Sequence, residues 1–175
     1  MRAALMFAPL VFVRPGELRT ALWKDMNLDA GEWRYTASKT GTPHVVPLAT
    51  QSLDILRDLK PLTGRSDYVF PSVRTWKRPM SENTINAALR GMGYSAEVHT
   101  AHGFRATART IMDEVLGERV DFIEHQLSHM VKDANGRAYN RTAHLPARRE
   151  MMQRWADYLD KLRIGADVIP IKNAA

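Results

Sequence analysis

The order of apolar and polar positions along the chain predicts a mostly helical protein with one β-hairpin. Residues 1–13, MRAALMFAPLVFV, form an apolar run that is too short to span a bilayer and predicts a buried core helix. Apolar residues recur at helical spacing over residues 50–60, 118–127 and 147–162. Residues 32–50, EWRYTASKTGTPHVVPLAT, alternate on both sides of a Thr-Gly-Thr-Pro turn, which predicts a hairpin.

Turn and capping residues bound the other predicted elements. Thr50 and Ser81 each precede an apolar-periodic run, as the N-terminal caps of helices do. Glycines that follow such runs are typical of the residue just after a helix. These signals predict a short helix after Pro15, helices from Thr50, from Ser81 to about Gly91 and over residues 103–116, and one strand near residues 68–70. The expected fold class is α+β, mainly α-helical with a small antiparallel β-sheet.

The composition limits the classes of protein and partner. A chain of 175 residues with 45% apolar content is long enough for one core. Its formal charge of +6 favours an anionic partner, and the basic residues are scattered along the chain as in a protein that lines a nucleic-acid groove. The absence of cysteine excludes disulfides and cysteine-based zinc sites, which fits a cytoplasmic protein.

The apolar opening admits a second interpretation, as a signal peptide. Its length suits that role, but no small-x-small cleavage site follows, and the run meets Arg14-Pro15-Gly16-Glu17 instead. The pattern therefore favours a core helix over export. An opening this apolar also leads us to expect a larger protein, in which this chain follows upstream domains.

Basic residues are concentrated on one face of a predicted helix in the stretch AHGFRATART. His102 and Arg105 lie three positions apart and Arg109 four positions further, so all three share a helix face. Arginine offers a planar fork that matches two phosphate oxygens, and a phosphodiester gains negative charge as it becomes five-coordinate. The stretch alone favours a solvated basic face, which is the usual environment of helix arginines. Other segments decide between these interpretations.

Four such segments lie far apart in the chain. RPGEL places Arg14 at a Pro-Gly turn with Glu17 three residues later, and SKTG places Lys39 at the tip of the predicted hairpin. QLSHM ends a predicted helix with His129, and AYNR presents Tyr139 ten residues later. With VRPGELR, SKTGTPHVVPL, HGFRATART, QLSHM and AYNR in this order, the chain resembles the tyrosine recombinases, and among them the phage- and genomic-island-type integrases. MMQRWADYL is similar to the closing helix of that family.

The resemblance implies a DNA breaking-rejoining catalytic domain over residues 1–164, without the family's N-terminal DNA-binding domains, and a flexible tail over residues 165–175. Tyr139 would attack the scissile phosphate to form a 3′-phosphotyrosine, and Lys39 would protonate the leaving 5′ oxygen. Arg14 and Arg105 would clamp the phosphate, and His102 and His129 would hydrogen-bond it and assist proton transfer. The remaining implied roles are a brace at Glu17 and DNA contacts at Arg109 and Arg141.

The resemblance also implies the partners and the absence of a cofactor. A phosphotyrosine ester stores the energy of the broken bond, so neither ATP nor a metal is required. The implied partners are double-stranded DNA attachment sites, with a tetramer on DNA, a free monomer off it, and no membrane. One residue departs from the family pattern, because Ser128 stands where members often have glycine before the second histidine.

Three alternatives stay open at the level of sequence. His125 and His129 have the spacing of a helical zinc pair, with His99 and His102 nearby, but Gln126 stands where a metallohydrolase has its general-base glutamate. The type IB topoisomerases share the tyrosine chemistry. The third alternative is a non-catalytic DNA-binding fragment of a decayed or truncated integrase.

Overall fold

The computed structural model of this protein describes residues 1–129 and 144–165. The helices are α1 (Arg2–Val11), α2 (Pro15–Arg19), α3 (Thr50–Thr63), α4 (Thr84–Gly91), α5 (Gly103–Glu114), α6 (Val120–Gln126) and α7 (Leu145–Ile164). The strands are β1 (Met26–Asn27), β2 (Glu32–Ala37), β3 (Thr42–Pro47), β4 (Pro71–Ser72) and β5 (Thr75–Pro79). A mainly helical chain with small antiparallel sheets is the predicted fold class, and it is confirmed.

Helix α1 lies at the centre of the molecule, as its apolar sequence predicts. It packs against α2, α3, α4, α5 and α7, and Phe7 and Val11 are fully buried. Phe12 ends the helix in the left-handed conformation, with φ of +35°, and its amide donates to the Ala8 carbonyl at 2.9 Å. In the described ranges, no helix has the length and apolar composition needed to cross a membrane.

The predicted hairpin is formed by β2 and β3, to which β1 adds a third antiparallel strand. Its turn is Ser-Lys-Thr-Gly at residues 38–41, two residues before the predicted Thr-Gly-Thr-Pro, because Gly41 takes the φ of +64° that the turn needs. Tyr35 and His44 face each other across the two strands. The Tyr35 hydroxyl reaches Glu17, and the His44 ring reaches the Gln126 carbonyl.

The strand predicted near residues 68–70 is wrong. Tyr68 forms only an isolated bridge to Leu22, and the paired strands β4 and β5 follow it. Val69 and Phe70 are apolar because they are buried in the core, where the Val69 amide donates to the Ala21 carbonyl at 2.9 Å. The sequence of the β4–β5 hairpin lacks the alternation of apolar and polar residues that predicts strands. Prolines stand at both of its ends, and β5 carries charged residues.

Both predicted helix caps are also wrong. Ala49 caps α3, and the Thr50 hydroxyl donates to Oε1 of Gln153 at 3.2 Å, so a tertiary contact has taken the side chain. Asn83 precedes α4, while Ser81 lies two residues earlier and accepts the Thr84 amide with its carbonyl. The helices themselves are where they were predicted, within the usual uncertainty at helix ends.

A second apolar cluster brings α5, α6 and α7 together around the end of α1. Phe12, Met112, Ile123 and Leu127 pack here with Trp155, and each is at most 2% exposed. Trp155 also donates its indole N–H to the Pro9 carbonyl at 2.9 Å. The cluster fixes the last turn of α6 beside the end of α1, which is where the basic residues of the predicted site meet.

Candidate active site

Arg14 stands directly before α2 and is held by the first turn of that helix. Its Nη1 donates to Oε1 of Glu17 at 3.2 Å, and its backbone amide donates to Oε2 of the same carboxylate at 3.2 Å. Its Nη2 donates to the carbonyl of Ser128, 114 residues away, at 3.3 Å. The Pro-Gly turn therefore orients Arg14 toward the end of α6.

Arg105 lies on α5, is only 6% exposed, and reaches the same place from the other side. Its Nη1 donates to the Phe12 carbonyl at 2.9 Å, and its Nη2 donates to the Leu127 carbonyl at 2.8 Å. Burial, followed by the positive charge of Arg14, lowers the pKa of Arg105 below its ordinary value. The two guanidinium groups therefore lie within electrostatic reach of each other.

The successive carbonyls of Leu127 and Ser128 thus receive the two arginines. Such an arrangement requires the backbone to leave the helix sharply, and Ser128 does so with φ of +54°, in the left-handed region that favours glycine. The departure from glycine noted in the sequence therefore falls on a strained position. Ser128 adopts here a backbone conformation that glycine takes more readily.

Glu17 and Tyr35 line the inner side of the two arginines. Glu17 is 5% exposed and accepts the Tyr35 hydroxyl at 2.9 Å, so its two oxygens are shared between Arg14 and Tyr35. Burial, and then the neighbouring Glu17 carboxylate, raises the pKa of Tyr35 well above its ordinary value. Tyr35 is therefore a neutral hydrogen-bond donor that helps to fix Glu17, and Glu17 in turn fixes Arg14.

His44 fastens the β2–β3 hairpin to the end of α6. Its Nε2 lies 3.2 Å from the Gln126 carbonyl, and the ring is 2% exposed. Burial, followed by the charge of Arg148, lowers the pKa of His44 to about 3, so the ring is neutral and Nε2 carries the proton that it donates. Lys39 is exposed in the turn of this anchored hairpin.

His129 lies immediately after the two carbonyls that bind the arginines. Its Nε2 is 3.3 Å from Nη2 of Arg105, and its Nδ1 is 2.5 Å from Oε2 of Glu124. The other oxygen of Glu124 accepts Nε of Arg109 at 2.9 Å, and Arg109 also approaches Asp113 at 3.6 Å. The stretch AHGFRATART has no acidic residue of its own, and Glu124 of α6 neutralises part of its charge.

His102 directly precedes α5 and is exposed, one turn before Arg105. Tyr139 and Arg141 lie outside the described residues. Arg14, Glu17, Arg105 and His129 are thus brought together by contacts between their own side chains and the same backbone turn. Lys39 and His102 lie on the hairpin and the helix that flank this group.

The sequence matches the profile described as Phage integrase family over residues 1–144. The chain belongs to the phage integrase family. The integrase of Enterobacteria phage P4 is 39% identical to it over 178 residues, which cover 93% of this chain and 40% of that protein. Prophage integrase IntA of Escherichia coli (strain K12) is 38% identical over 170 residues, or 96% of this chain and 41% of that protein.

Solved integrase structures share the fold of this family member. The integrase from mycobacterium phage Brujita superposes with a TM-score of 0.68 at 17% identity, over 88% of this chain and 50% of that one. A lambda integrase dimer bound to a COC′ core site superposes with a TM-score of 0.56 at 24% identity, over 79% of this chain and 43% of that one. The chain therefore spans about two fifths of the length of its curated relatives and about half the length of these structures.

The helical zinc pair considered for this integrase family member does not form. Helix α6 ends at Gln126, and the left-handed Ser128 carries His129 away from the face that His125 occupies. His125 is 6% exposed in the core, whereas His129 faces Arg105 and Glu124. Within residues 1–129 and 144–165, no cluster of three or more histidine, aspartate or glutamate side chains is arranged to hold a metal ion.

Sequence reasoning missed several groups of the site in this chain. Tyr35 and Glu124 were not singled out, although Glu124 lies five residues before a predicted site histidine. The carbonyls of Phe12 and Leu127 had no signal at all, since any residue supplies a carbonyl. Their positions depend on how α1 and α6 end.

Proposed function

We propose that this chain is the catalytic part of a site-specific DNA recombinase, an integrase that cleaves and rejoins DNA to integrate or excise a mobile element. The membership of the phage integrase family supports this proposal. The observation that carries it is the meeting of Arg14 and Arg105 on successive carbonyls next to His129. Each guanidinium has more N–H donors than the contacts described above use, and the remaining ones are proposed to bind phosphate oxygens.

The proposed cleavage step forms a bond between the Tyr139 phenol oxygen and the scissile phosphorus, as the phenol proton passes to His129. The bond from phosphorus to the 5′ oxygen breaks, so the 3′ end stays attached to the protein and the 5′ end leaves as a hydroxyl. Arg14 and Arg105 bind the two non-bridging oxygens and stabilise the charge that develops there. Attack by a 5′ hydroxyl on the phosphotyrosine reverses the step, so the bond energy is kept without ATP, metal or another cofactor.

Lys39 is the proposed donor of the proton that the 5′ oxygen takes up. The hairpin that carries it is anchored at Tyr35 and His44, while the turn itself is exposed, so an ammonium there can meet DNA lying on the arginines. His129, beside Arg105, is proposed to take up the proton of the Tyr139 phenol at Nε2, and His102, at the start of α5, is proposed to donate a hydrogen bond to the phosphate. Arg109 and Arg141 are proposed to bind the flanking DNA backbone.

Double-stranded attachment sites are the proposed substrate, bound by a tetramer in the recombining complex and by a monomer in free solution. Support comes from structures of lambda integrase, one of a dimer bound to a core site and one of a tetramer bound to a Holliday junction. Four copies on two duplexes supply one nucleophile for each strand to be exchanged. The net charge of +6 favours binding to such a polyanion.

A covalent trapping experiment tests the proposed activity without knowledge of the attachment site. Nicked duplexes with a randomised core release a short fragment after cleavage, so the protein stays attached to DNA and the adducts can be recovered and sequenced. We expect adducts of one preferred sequence with the wild-type chain, also in the presence of EDTA, and none with Tyr139→Phe. Tyr94→Phe, which changes an exposed tyrosine, is the matched control and keeps the activity.

Two outcomes contradict the proposal. Binding of duplex DNA without any adduct, at protein concentrations that saturate the DNA, supports a non-catalytic DNA-binding fragment instead. Adducts that persist in Tyr139→Phe show that another residue is the nucleophile.

A further inference from the structure

The β4–β5 hairpin concentrates cations that have no acidic partner. Arg74, Lys77 and Arg78 are exposed on it, and Arg65 is exposed beside it. None of the ion pairs formed within the described residues includes any of these four. Most arginines elsewhere on the described surface do pair with carboxylates, so this hairpin keeps charge that the rest of the surface neutralises.

The hairpin is held firmly enough to present those charges in a fixed arrangement. The Arg65 guanidinium stacks 3.6 Å from the centre of the Trp76 ring, and the Ser66 hydroxyl donates to the Trp76 carbonyl at 2.6 Å. Below the strands, the Met80 amide donates to the Phe70 carbonyl at 2.8 Å. Because Trp76 remains 40% exposed with an arginine on one face, the surface combines a flat aromatic ring with four cations.

One end of the hairpin touches α2, the helix that directly follows Arg14. Nε of Arg19, the last residue of α2, donates to the Met80 carbonyl just after β5 at 3.1 Å. Adding the length of α2, an arginine side chain and half of β5 places Lys77 within roughly 25 Å of Arg14. At 3.4 Å per base pair, that distance corresponds to about seven base pairs of duplex.

We propose that Arg65, Arg74, Lys77 and Arg78 form a phosphate-binding surface for duplex DNA beside the cleavage position, independent of its base sequence. This inference rests on the proposed function, because it takes the duplex to run from the two arginines of the site along α2. Long cations bind phosphate oxygens and release the counterions condensed on DNA, which makes the interaction strongly dependent on salt. The surface lies outside the residues assigned to catalysis.

The test compares two double variants of the 175-residue chain. Lys77→Ala/Arg78→Ala removes two charges from the hairpin, and Lys161→Ala/Arg163→Ala removes two from the last turn of α7. Fluorescence anisotropy with a 30-base-pair duplex of arbitrary sequence measures affinity from 50 to 200 mM salt. Two lost phosphate contacts should lower the slope of log K against log salt by about 2. The affinity should fall at least tenfold in the hairpin variant and less than twofold in the control.

Equal losses in the two variants, or an unchanged salt slope in the hairpin variant, overturn the proposal. Covalent trapping on a nicked duplex keeps this result distinct from the proposed activity. If the chain forms no adduct but the hairpin variant still binds more weakly, the recombinase proposal fails and the binding surface stands. If the adduct forms and the hairpin variant binds with wild-type affinity, the recombinase proposal stands and the proposed binding surface is refuted.

A separate observation concerns the orientation of His129. Nδ1 of this ring lies 2.5 Å from Oε2 of Glu124, and the other carboxylate oxygen is held by Nε of Arg109 at 2.9 Å. Partial burial acts to raise the pKa of Glu124, but the hydrogen bonds from His129 and Arg109 outweigh it and lower that pKa. The carboxylate is therefore ionised and accepts the Nδ1 proton, which leaves Nε2 directed at Arg105.

We infer that Glu124 is a positioning residue that sets the tautomer and direction of His129 and so leaves Nε2 as a proton acceptor beside Arg105. The carboxylate acts as the orienting third group acts in other nucleophile–histidine sites. Arg109 holds Glu124 in place, which gives that arginine a task besides contact with DNA. Like the binding surface, this inference rests on the proposed function.

Glu124→Ala and Glu124→Gln test it, with Asp113→Ala as control because Asp113 also approaches Arg109 but is not bonded to His129. Nitrogen NMR of the His129 ring in the intact chain reports which nitrogen carries the proton. We expect the proton on Nδ1 in wild type and control, and a shift toward Nε2 in Glu124→Ala. Adduct formation should fall by about two orders of magnitude in Glu124→Ala, the lower end of what a positioned proton-transfer group contributes, with partial recovery in Glu124→Gln.

An unchanged tautomer in Glu124→Ala refutes the positioning role whatever the cleavage rate. A rate loss with no tautomer change, but with a lowered melting temperature, indicates a purely structural contact. The NMR result does not depend on DNA, so it is decided separately from the recombinase activity.

Discussion

Arg105 and Arg14 should respond very differently to replacement by alanine, although both are proposed to bind the same phosphate. Arg105 is 6% exposed and supplies the hydrogen bonds for the carbonyls of Phe12 and Leu127. The Arg14 side chain is 18% exposed and supplies one carbonyl, that of Ser128. Arg105 is therefore part of the framework that joins α1, α5 and α6, and Arg14 is attached to its edge.

The contacts set the size of the difference. A buried acceptor left without its donor costs about 1–3 kcal/mol, and bonds from a charged donor are at the upper end. Two such acceptors and the space left by the side chain give about 3–5 kcal/mol for Arg105→Ala. One partly exposed acceptor and a weakened Glu17 pair give about 1–2 kcal/mol for Arg14→Ala. At about 2–4 °C per kcal/mol, the melting temperature should fall by roughly 6–20 °C in the first variant and 2–8 °C in the second.

Thermal unfolding followed by urea titration measures these differences, with Arg57→Ala as control. Arg57 forms an exposed ion pair with Asp54, so its loss should leave the unfolding free energy within about 1 kcal/mol of wild type. Both active-site variants should also lose about two to four orders of magnitude in adduct formation. The smallest difference between the two free-energy ranges is about 1 kcal/mol, which corresponds to about 2 °C. If the melting temperatures of Arg105→Ala and Arg14→Ala differ by less than about 2 °C, the framework role assigned to Arg105 is refuted.

Three further predictions concern protonation, backbone strain and proton donation. Burial lowers the pKa of His44 to about 3, whereas the unfolded chain takes up the same proton near pH 6.5. The free energy of unfolding should therefore decrease by about 1.4 kcal/mol for each unit by which the pH is lowered from 6 to 4. Urea titrations of His44→Gln should lack that part of the pH dependence. Because φ of Ser128 is +54°, Ser128→Gly should raise the free energy of unfolding by up to about 1 kcal/mol, and Ser128→Val should lower it. A valine variant as stable as the wild type contradicts the left-handed turn. Lys39→Ala should lose about two orders of magnitude in cleavage rate on ordinary DNA. The rate should recover on a substrate whose 5′ leaving atom is sulfur, because sulfur departs without a proton. If the rate does not recover, Lys39 is not the general acid.

Local patterns were sufficient for the elements and for part of the site. The apolar run of α1 and the helical periods of α3, α6 and α7 depend on burial of one face, which the residues themselves reveal. Arg14 and Glu17 could be linked from their spacing at a Pro-Gly turn, and their contact is present at 3.2 Å. The alternating apolar and polar residues of β2 and β3 likewise predicted the hairpin and placed Lys39 in its turn.

Tertiary contacts decided what local patterns could not. Thr50 would cap a helix in isolation, but Gln153 from α7 takes its hydroxyl instead. Arg105 and Arg109 look alike on the predicted helix, yet one is buried against two carbonyls and the other pairs with Glu124. The role of Glu124 depends on the sharp end of α6, which only the backbone conformation of Ser128 reveals.

The central claim is that a pocket formed by the cations Arg14 and Arg105 together with His129 activates the phenol of Tyr139 against a DNA phosphate. Peptide mass spectrometry of the trapped protein–DNA adduct, combined with end labelling of the released strand, tests it most directly. The account predicts a single modified peptide with the nucleotide on Tyr139, a blocked 3′ end and a free 5′ hydroxyl. A modification on another residue, or a phosphate left on the 5′ side, would contradict it.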